Sequence, residues 1–179
     1  MSQQGEKYKL KNGIEVTIRP MITPGDYEKS LQFFQDLPEK DKLYLRIDVD
    51  NPKVVERRMG GGYLEKTFRL VAESEDGRLV ADATLATPQQ GWTSHVGDMR
   101  VIVARDFRQS GLATILYRQV FIEAVKMGLE KLEIRMMPQQ EAARKCVEKL
   151  GFTEEGVLKG FAMDIKGKRQ DLLIMSTNV

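Results

Sequence analysis

Val103-Ala104-Arg105-Asp106-Phe107-Arg108-Gln109-Ser110-Gly111-Leu112-Ala113-Thr114 joins two patterns of different period. Before it, Val96 to Ala104 contains Val101-Ile102-Val103 and predicts a buried central strand. After it, Leu112, Ile115, Leu116, Val120, Ala124 and Met127 keep one face of a helix that closes at Gly128. The first amides of a helix have no intrahelical acceptor, and its dipole adds partial positive charge there. Ser110, Gly111 and Ala113 are small enough for a bulky anion to approach that backbone. Arg105 and Arg108 supply full charges in a forked geometry suited to phosphate oxygens. The stretch therefore predicts a site for a di-anion. Glycine spacing alone leaves open a plain strand-to-helix turn capped by serine.

Working outward, the chain alternates strand and helix signals without an internal repeat or a linker. Asn12-Gly13 marks a turn, and Ile14, Val16 and Ile18 alternate with polar residues up to Pro20. Asp26 is placed to cap a helix carrying Tyr27, Leu31, Phe34 and Leu37, and Asn51-Pro52 opens another with Val54, Val55 and Met59. Gly60-Gly61-Gly62 precedes a strand, not a helix, and reads as a surface loop. Thr67 to Glu73 and Arg78 to Thr87 flank Asp76-Gly77, a strong hairpin signal. Leu132, Ile134 and Met136 alternate as a strand; Pro138 opens a last helix with Ala142, Ala143, Cys146, Val147 and Leu150 on its apolar face. Two strands, about Phe152 to Ile165 and Asp171 to Met175, finish the chain. The prediction is a single α/β domain over residues 1–179, a mixed and mostly antiparallel sheet flanked by helices, with a strand–helix–strand crossover over residues 96–137.

Composition removes several chemistries. Basic and acidic residues nearly cancel, 28 against 26, which argues against a nucleic-acid binder. One cysteine, Cys146, and one histidine, His95, leave neither a disulfide nor a multi-thiolate or two-histidine metal motif, so no metal is expected. Cys146 lies on an apolar helix face and reads as an inert core thiol. The polar start and the lack of a long apolar run point away from the membrane and towards the cytoplasm.

Arg108-Gln109-Ser110-Gly111-Leu112-Ala113 resembles the Arg/Gln-x-x-Gly-x-Gly/Ala pyrophosphate loop of the GNAT superfamily of acyl-CoA N-acyltransferases. Gln140-Glu141-Ala142-Ala143 and then Glu148-Lys149-Leu150-Gly151-Phe152 resemble that family's second motif, in which an Asn-x-x-Ala helix ends in Gly-Phe. The specific part of the resemblance covers residues 96–156. It implies acetyl-CoA as acyl donor, with its pyrophosphate on the amides of Gln109, Ser110, Gly111, Leu112, Ala113 and Thr114 beside Arg108. It implies that Val101 and Val103 pair through their backbone with the pantetheine arm, and that a free amide of that strand polarises the thioester carbonyl. Gln140 stands where the family has asparagine, and Val147 where many members have a tyrosine that protonates the leaving thiolate.

The acceptor ammonium must lose a proton before its nitrogen attacks, so a base or a water chain is required. Asp98 is the candidate base, near where several family members place a carboxylate, with Glu73 second. A hydrogen-bonded strand carboxylate is the plainer reading of Asp98. His95 reads as surface, Tyr117 as packing, and Arg144 with Lys145 as a solvated helix face. Transfer to a primary amine, on a small molecule or on a protein lysine or N-terminus, is the first functional reading. An acyl-CoA sensor without turnover is the alternative. Asp36, Glu39, Asp41, Asp48 and Asp50 would favour a cationic amine, although a solvated surface explains the same charges. A homodimer is compatible with the sequence.

Overall fold

The computed structural model describes residues 5–22, 24–46, 48–49, 51–59, 65–88 and 91–179. Eight strands form one sheet: β1 (Glu6–Lys9), β2 (Glu15–Pro20), β3 (Glu65–Ser74), β4 (Leu79–Pro88), β5 (Val96–Val103), β6 (Lys131–Met136), β7 (Thr153–Met163) and β8 (Arg169–Asn178). They lie in the order β1-β2-β3-β4-β5-β6-β8-β7. Every neighbouring pair is antiparallel except β5 and β6, which are parallel and joined by helix α4 (Leu112–Lys126). Four other helices flank the sheet: α1 (Tyr27–Gln35), α2 (Glu39–Lys42), α3 (Pro52–Met59) and α5 (Glu141–Glu148). No helix among the described residues is long and apolar enough to cross a membrane.

Both faces of the sheet centre are covered, and the sequence of β4 follows from that. Leu79 to Leu85 are all buried, polar Asp82 and Thr84 included, so strict alternation of exposed and buried residues is lost. On one face α4 packs Leu112, Leu116, Val120 and Ala124 against Leu70, Leu85, Met99 and Leu132. On the other, Phe33, Phe34 and Leu37 of the α1 region cover Val71 and Leu79. The β3–β4 hairpin turns at Asp76-Gly77 as its sequence predicts, with Gly77 at φ +80°.

The structure departs from the sequence reading at four places. Strand β1 was not expected; its pairing with β2 and a 2.8 Å bond from Gln119 Nε2 to the Tyr8 hydroxyl hold it down. The short α2 was not expected either. Helix α1 turns Phe33 inward while Leu31 stays half-buried. Asp26 precedes α1 but makes no side-chain cap. Its carboxylate instead accepts two bonds from Arg19, at 2.7 and 2.8 Å, and one from the Ile22 N–H. A buried guanidinium holds a carboxylate more strongly than a neutral amide does. The triple glycine and Asp50 lie outside the described residues.

Gly97 leaves room for close packing of three leucines, on β4, on β6 and in the α4–β6 connection, over the start of β5. A Cβ there would stand 2.6 Å from Leu85 Cδ1 and 2.9 Å from atoms of both Leu129 and Leu132. Those leucines are buried, so nothing nearby gives way cheaply. Gly97→Val is predicted to cost about 1–3 kcal/mol, the usual range for overpacking, read as a lower urea midpoint with an unchanged slope.

Candidate active site

The parallel pair β5–β6 starts in register, with Val96, Gly97 and Asp98 opposite Lys131, Leu132 and Glu133, and the pairing stops there. Beyond that point β5 runs on to Val103 beside β4 alone, and β6 to Met136 beside β8 alone. The two strands part, leaving a wedge between their inner edges. Strand parity shows which backbone groups line it. Ala104 N–H donates to Val80 O on the β4 side at 2.8 Å. Neighbouring residues of a strand direct their backbone groups to opposite edges. Met99, Val101 and Val103 therefore turn their backbone groups towards β6. The Met99 N–H belongs to the last rung of the ladder, at Glu133. The Met99 C=O, with the N–H and C=O groups of Val101 and Val103, lines the wedge, as the pantetheine reading of Val101 and Val103 requires.

Beyond Val103, β5 leads through the short turn at Arg105–Phe107 to the loop before α4. Gln109 takes φ +60° and Gly111 φ +88°, with Ser110 buried between them. Left-handed backbone at alternate positions turns amides towards one side, as in anion-binding nests. Ser110 locks the shape: its hydroxyl donates to Phe107 O at 2.5 Å and accepts from Leu112 N–H at 3.4 Å. The first intrahelical bond of α4 is Ile115 N–H to Gly111 O, so the amides of Ala113 and Thr114 have no acceptor within the helix. No side chain stands over Gly111 from its own Cα, and that gap suits a diphosphate. The loop fits the group that the sequence implies.

The cations are arranged differently from the sequence reading. Arg108 turns back to donate to Val103 O at 3.1 Å and to Asp41 Oδ2 at 2.9 Å. Arg105 lines a separate cleft of about 550 Å³ with Phe33, Asp36, Leu37 and Arg78. The cation beside Gly111 is Lys11, which sequence reasoning missed. Its N–H donates to Ser110 O at 3.0 Å, and its stem carbons lie 3.4–3.7 Å from where a Cβ on Gly111 would be. Only the Asn12-Gly13 turn beside it was visible in the sequence.

Direct pairing across the sheet puts Thr67, Ala86, Asp98 and Glu133 in one row, and Arg69, Thr84 and Arg100 in the next. Both rows share the α1 face with Val71 and Ile102, which pack against Phe33 and Phe34. Asp98 thus stands where β5 and β6 part, on the face away from α4. It is ion-paired with Arg46, whose Nη2 lies 3.3 Å from Asp98 Oδ1 and donates to Arg135 O at 3.3 Å. Arg46 belongs to an aperiodic stretch between α2 and α3, which is why no pattern in the sequence picked it out.

Glu73 is at the far end of the hairpin from Asp98: it pairs with Leu79, whereas Asp98 pairs with Ala86. Burial opposes its charge, but hydrogen bonds from Lys29 and Arg19 hold its carboxyl below the usual range. Tyr117 is buried in the core, and burial raises its hydroxyl pKa far above neutral. Gln140 accepts from Met137 N–H at 2.9 Å and so shapes the end of β6. Val147 is fully buried in the α5 core face. Cys146 packs part-buried against that core, 3.7 Å from Thr114 Oγ1. His95 is exposed, and Arg144 pairs with Glu148 and Glu154 at the surface.

The sequence predicts a strand–helix–strand crossover with a small-residue loop at the helix N-terminus, which the fold has; the opening of the β5–β6 pair is not part of that expectation. Residues 31–152 match the Acetyltransferase (GNAT) family. The chain belongs to this family. Solved GNAT structures superpose on nearly its whole length. The GNAT domain of S. lividans PAT has 17% identity and a TM-score of 0.78, covering 100% of this chain and 99% of its own. A GNAT-family acetyltransferase from Streptococcus pneumoniae has 19% identity and a TM-score of 0.73, covering 92% and 99%. Spermidine N-acetyltransferase from Vibrio cholerae, solved with CoA and spermine, has 18% identity and a TM-score of 0.70, covering 91% and 95%. At these identities the likeness establishes the shared GNAT fold.

Proposed function

We propose that this GNAT protein transfers the acetyl group of acetyl-CoA directly to an amine nitrogen, without a covalent enzyme intermediate. The observation that carries the reading is the wedge after Asp98 and Glu133, on a strand whose end leads through the short turn at Arg105–Phe107 to the left-handed loop at Gln109–Gly111. The amides of Gln109 to Thr114, with Lys11 alongside, hold the pyrophosphate. The backbone groups of Val101 and Val103 hold the pantetheine arm as an added strand would be held. A wedge-facing amide of β5 is in position to polarise the thioester carbonyl. Asp98 accepts the proton that the acceptor ammonium gives up. The new N–C bond forms as the C–S bond breaks, and the sulfur leaves as thiolate. With Val147 buried and Tyr117 in the core, water carries the second proton that the nitrogen loses on amide formation to that thiolate, giving the free thiol of CoA.

Two variants test the two halves of the site. Gly111→Glu places a carboxylate in the pyrophosphate cradle and a side chain on left-handed backbone; Gly111→Ala brings the backbone strain alone. Calorimetry is expected to find acetyl-CoA binding lost in Gly111→Glu and retained, though weakened, in Gly111→Ala. Equal affinity in wild type and Gly111→Glu would sink the loop assignment. Asp98→Asn is expected to keep coenzyme affinity and to slow transfer by roughly a hundredfold near neutral pH, the lower end of general-base effects. The deficit should shrink as pH rises towards the acceptor's own pKa, where free amine needs no base. A wild-type rate across that range would remove Asp98 from the mechanism.

A further inference from the structure

The acceptor side of the wedge is not lined by acids alone. Arg46 reaches from the α2–α3 connection across the point where β5 and β6 part, and it touches both strands: the Asp98 carboxylate on β5 and the Arg135 carbonyl on β6. Its guanidinium therefore fills the space where an acceptor ammonium must stand to reach Asp98. The pair is partly screened from solvent, with side-chain exposures of 30% for Arg46 and 22% for Asp98. Transfer requires Arg46 to let go of Asp98. A bare ammonium, or a polyamine, would have to displace one cation with another and leave the arginine only Glu133, a carboxylate already bound by Arg135 at 2.5 Å.

An acceptor that carries its own anion removes that difficulty. Its ammonium takes Asp98, and its carboxylate takes the guanidinium that Asp98 releases, an exchange of partners that keeps every charge paired. The surrounding face agrees. Arg100 stands one pleat beyond Asp98 on the same face of β5, and Arg69 lies in the same row two strands away. Two of the five acids that would attract a polyamine are already paired within the chain, Asp41 with Arg108 at 2.9 Å and Glu39 with Lys42 at 3.1 Å.

We infer that the acceptor is an amine bearing a carboxylate close to the reacting nitrogen, of the α-amino-acid class, and that Arg46 is the residue that selects it. This rests on the transfer reading above, and the test separates the two. Wild-type protein, acetyl-CoA and a thiol-release assay are used with the common α-amino acids, the amines formed by their decarboxylation, and spermidine. Acetyl-CoA affinity is measured in parallel by calorimetry. The expected result is at least a tenfold higher kcat/KM for one or more amino acids than for their decarboxylated partners and for spermidine. Arg46→Met should abolish that preference, chiefly through a raised KM for the amino acid. It should leave coenzyme affinity unchanged and raise turnover of the decarboxylated amine, whose ammonium then reaches Asp98 without displacing a guanidinium, and Arg46→Lys should restore part of the preference. Faster transfer to spermidine or to the decarboxylated amines overturns the inference alone, as does an Arg46→Met variant that keeps the wild-type preference. Coenzyme binding without thiol release from any amine overturns the transfer reading and this inference with it.

Discussion

Two parallel strands that pair for three residues and then separate set the terms for the rest of this molecule. Separation exposes the C=O of Met99 and the N–H and C=O groups of Val101 and Val103 along an inner edge, and backbone polar groups inside a protein need partners. Arg108 supplies one of them, by donating to Val103 O. The remaining edge is a template for an extended ligand. The opening persists because each parting strand keeps a full ladder on its outer side, β5 with β4 and β6 with β8. Gly97, just before the divergence, lets Leu85, Leu129 and Leu132 close tightly behind it.

Charge is distributed by the same geometry. At the open end of the wedge, beyond Val103, the helix amides and Lys11 make a positively charged floor suited to phosphate. On the face turned away from α4, positive and negative groups alternate along the strands: Asp98 and Arg100 on β5, Glu133 and Arg135 on β6. Such a surface discriminates by arrangement rather than by net charge. Arg108, expected from the sequence to stand beside phosphate, instead ties the loop before α4 to α2 through Asp41.

The parts legible in the sequence were those written in periodicity. The change of period at residues 103–112, the Asp76-Gly77 hairpin and the alternation of β6 fix the central crossover, and the loop at Gln109–Gly111 was identified from its small residues at a helix start. Packing of Tyr117 and Val147 also follows from helical spacing. What escaped notice depended on long-range pairing. Strand β1 is polar and short, and gains its place from β2 and from Gln119. Asp26 has the right position for a cap, yet a distant arginine on β2 claims its carboxylate. Arg46 and Lys11 come from connecting segments with no period, and reach the site because the chain folds back over it. Local pattern locates the elements; contacts between segments far apart in sequence decide which charges meet.

The central claim is that the wedge and its loop bind an acyl-coenzyme A, and a thermal-shift titration of the unmodified protein tests it most directly. Acetyl-CoA is compared with adenosine monophosphate, which lacks the pyrophosphate and the pantetheine arm. A ligand that binds the native state stabilises it by about 2.7 kcal/mol at a hundredfold excess over its Kd. The account predicts a clear rise in Tm with acetyl-CoA that grows with its concentration, and little change with the nucleotide. An unmoved Tm at millimolar acetyl-CoA, or an equal rise with the nucleotide, would contradict it.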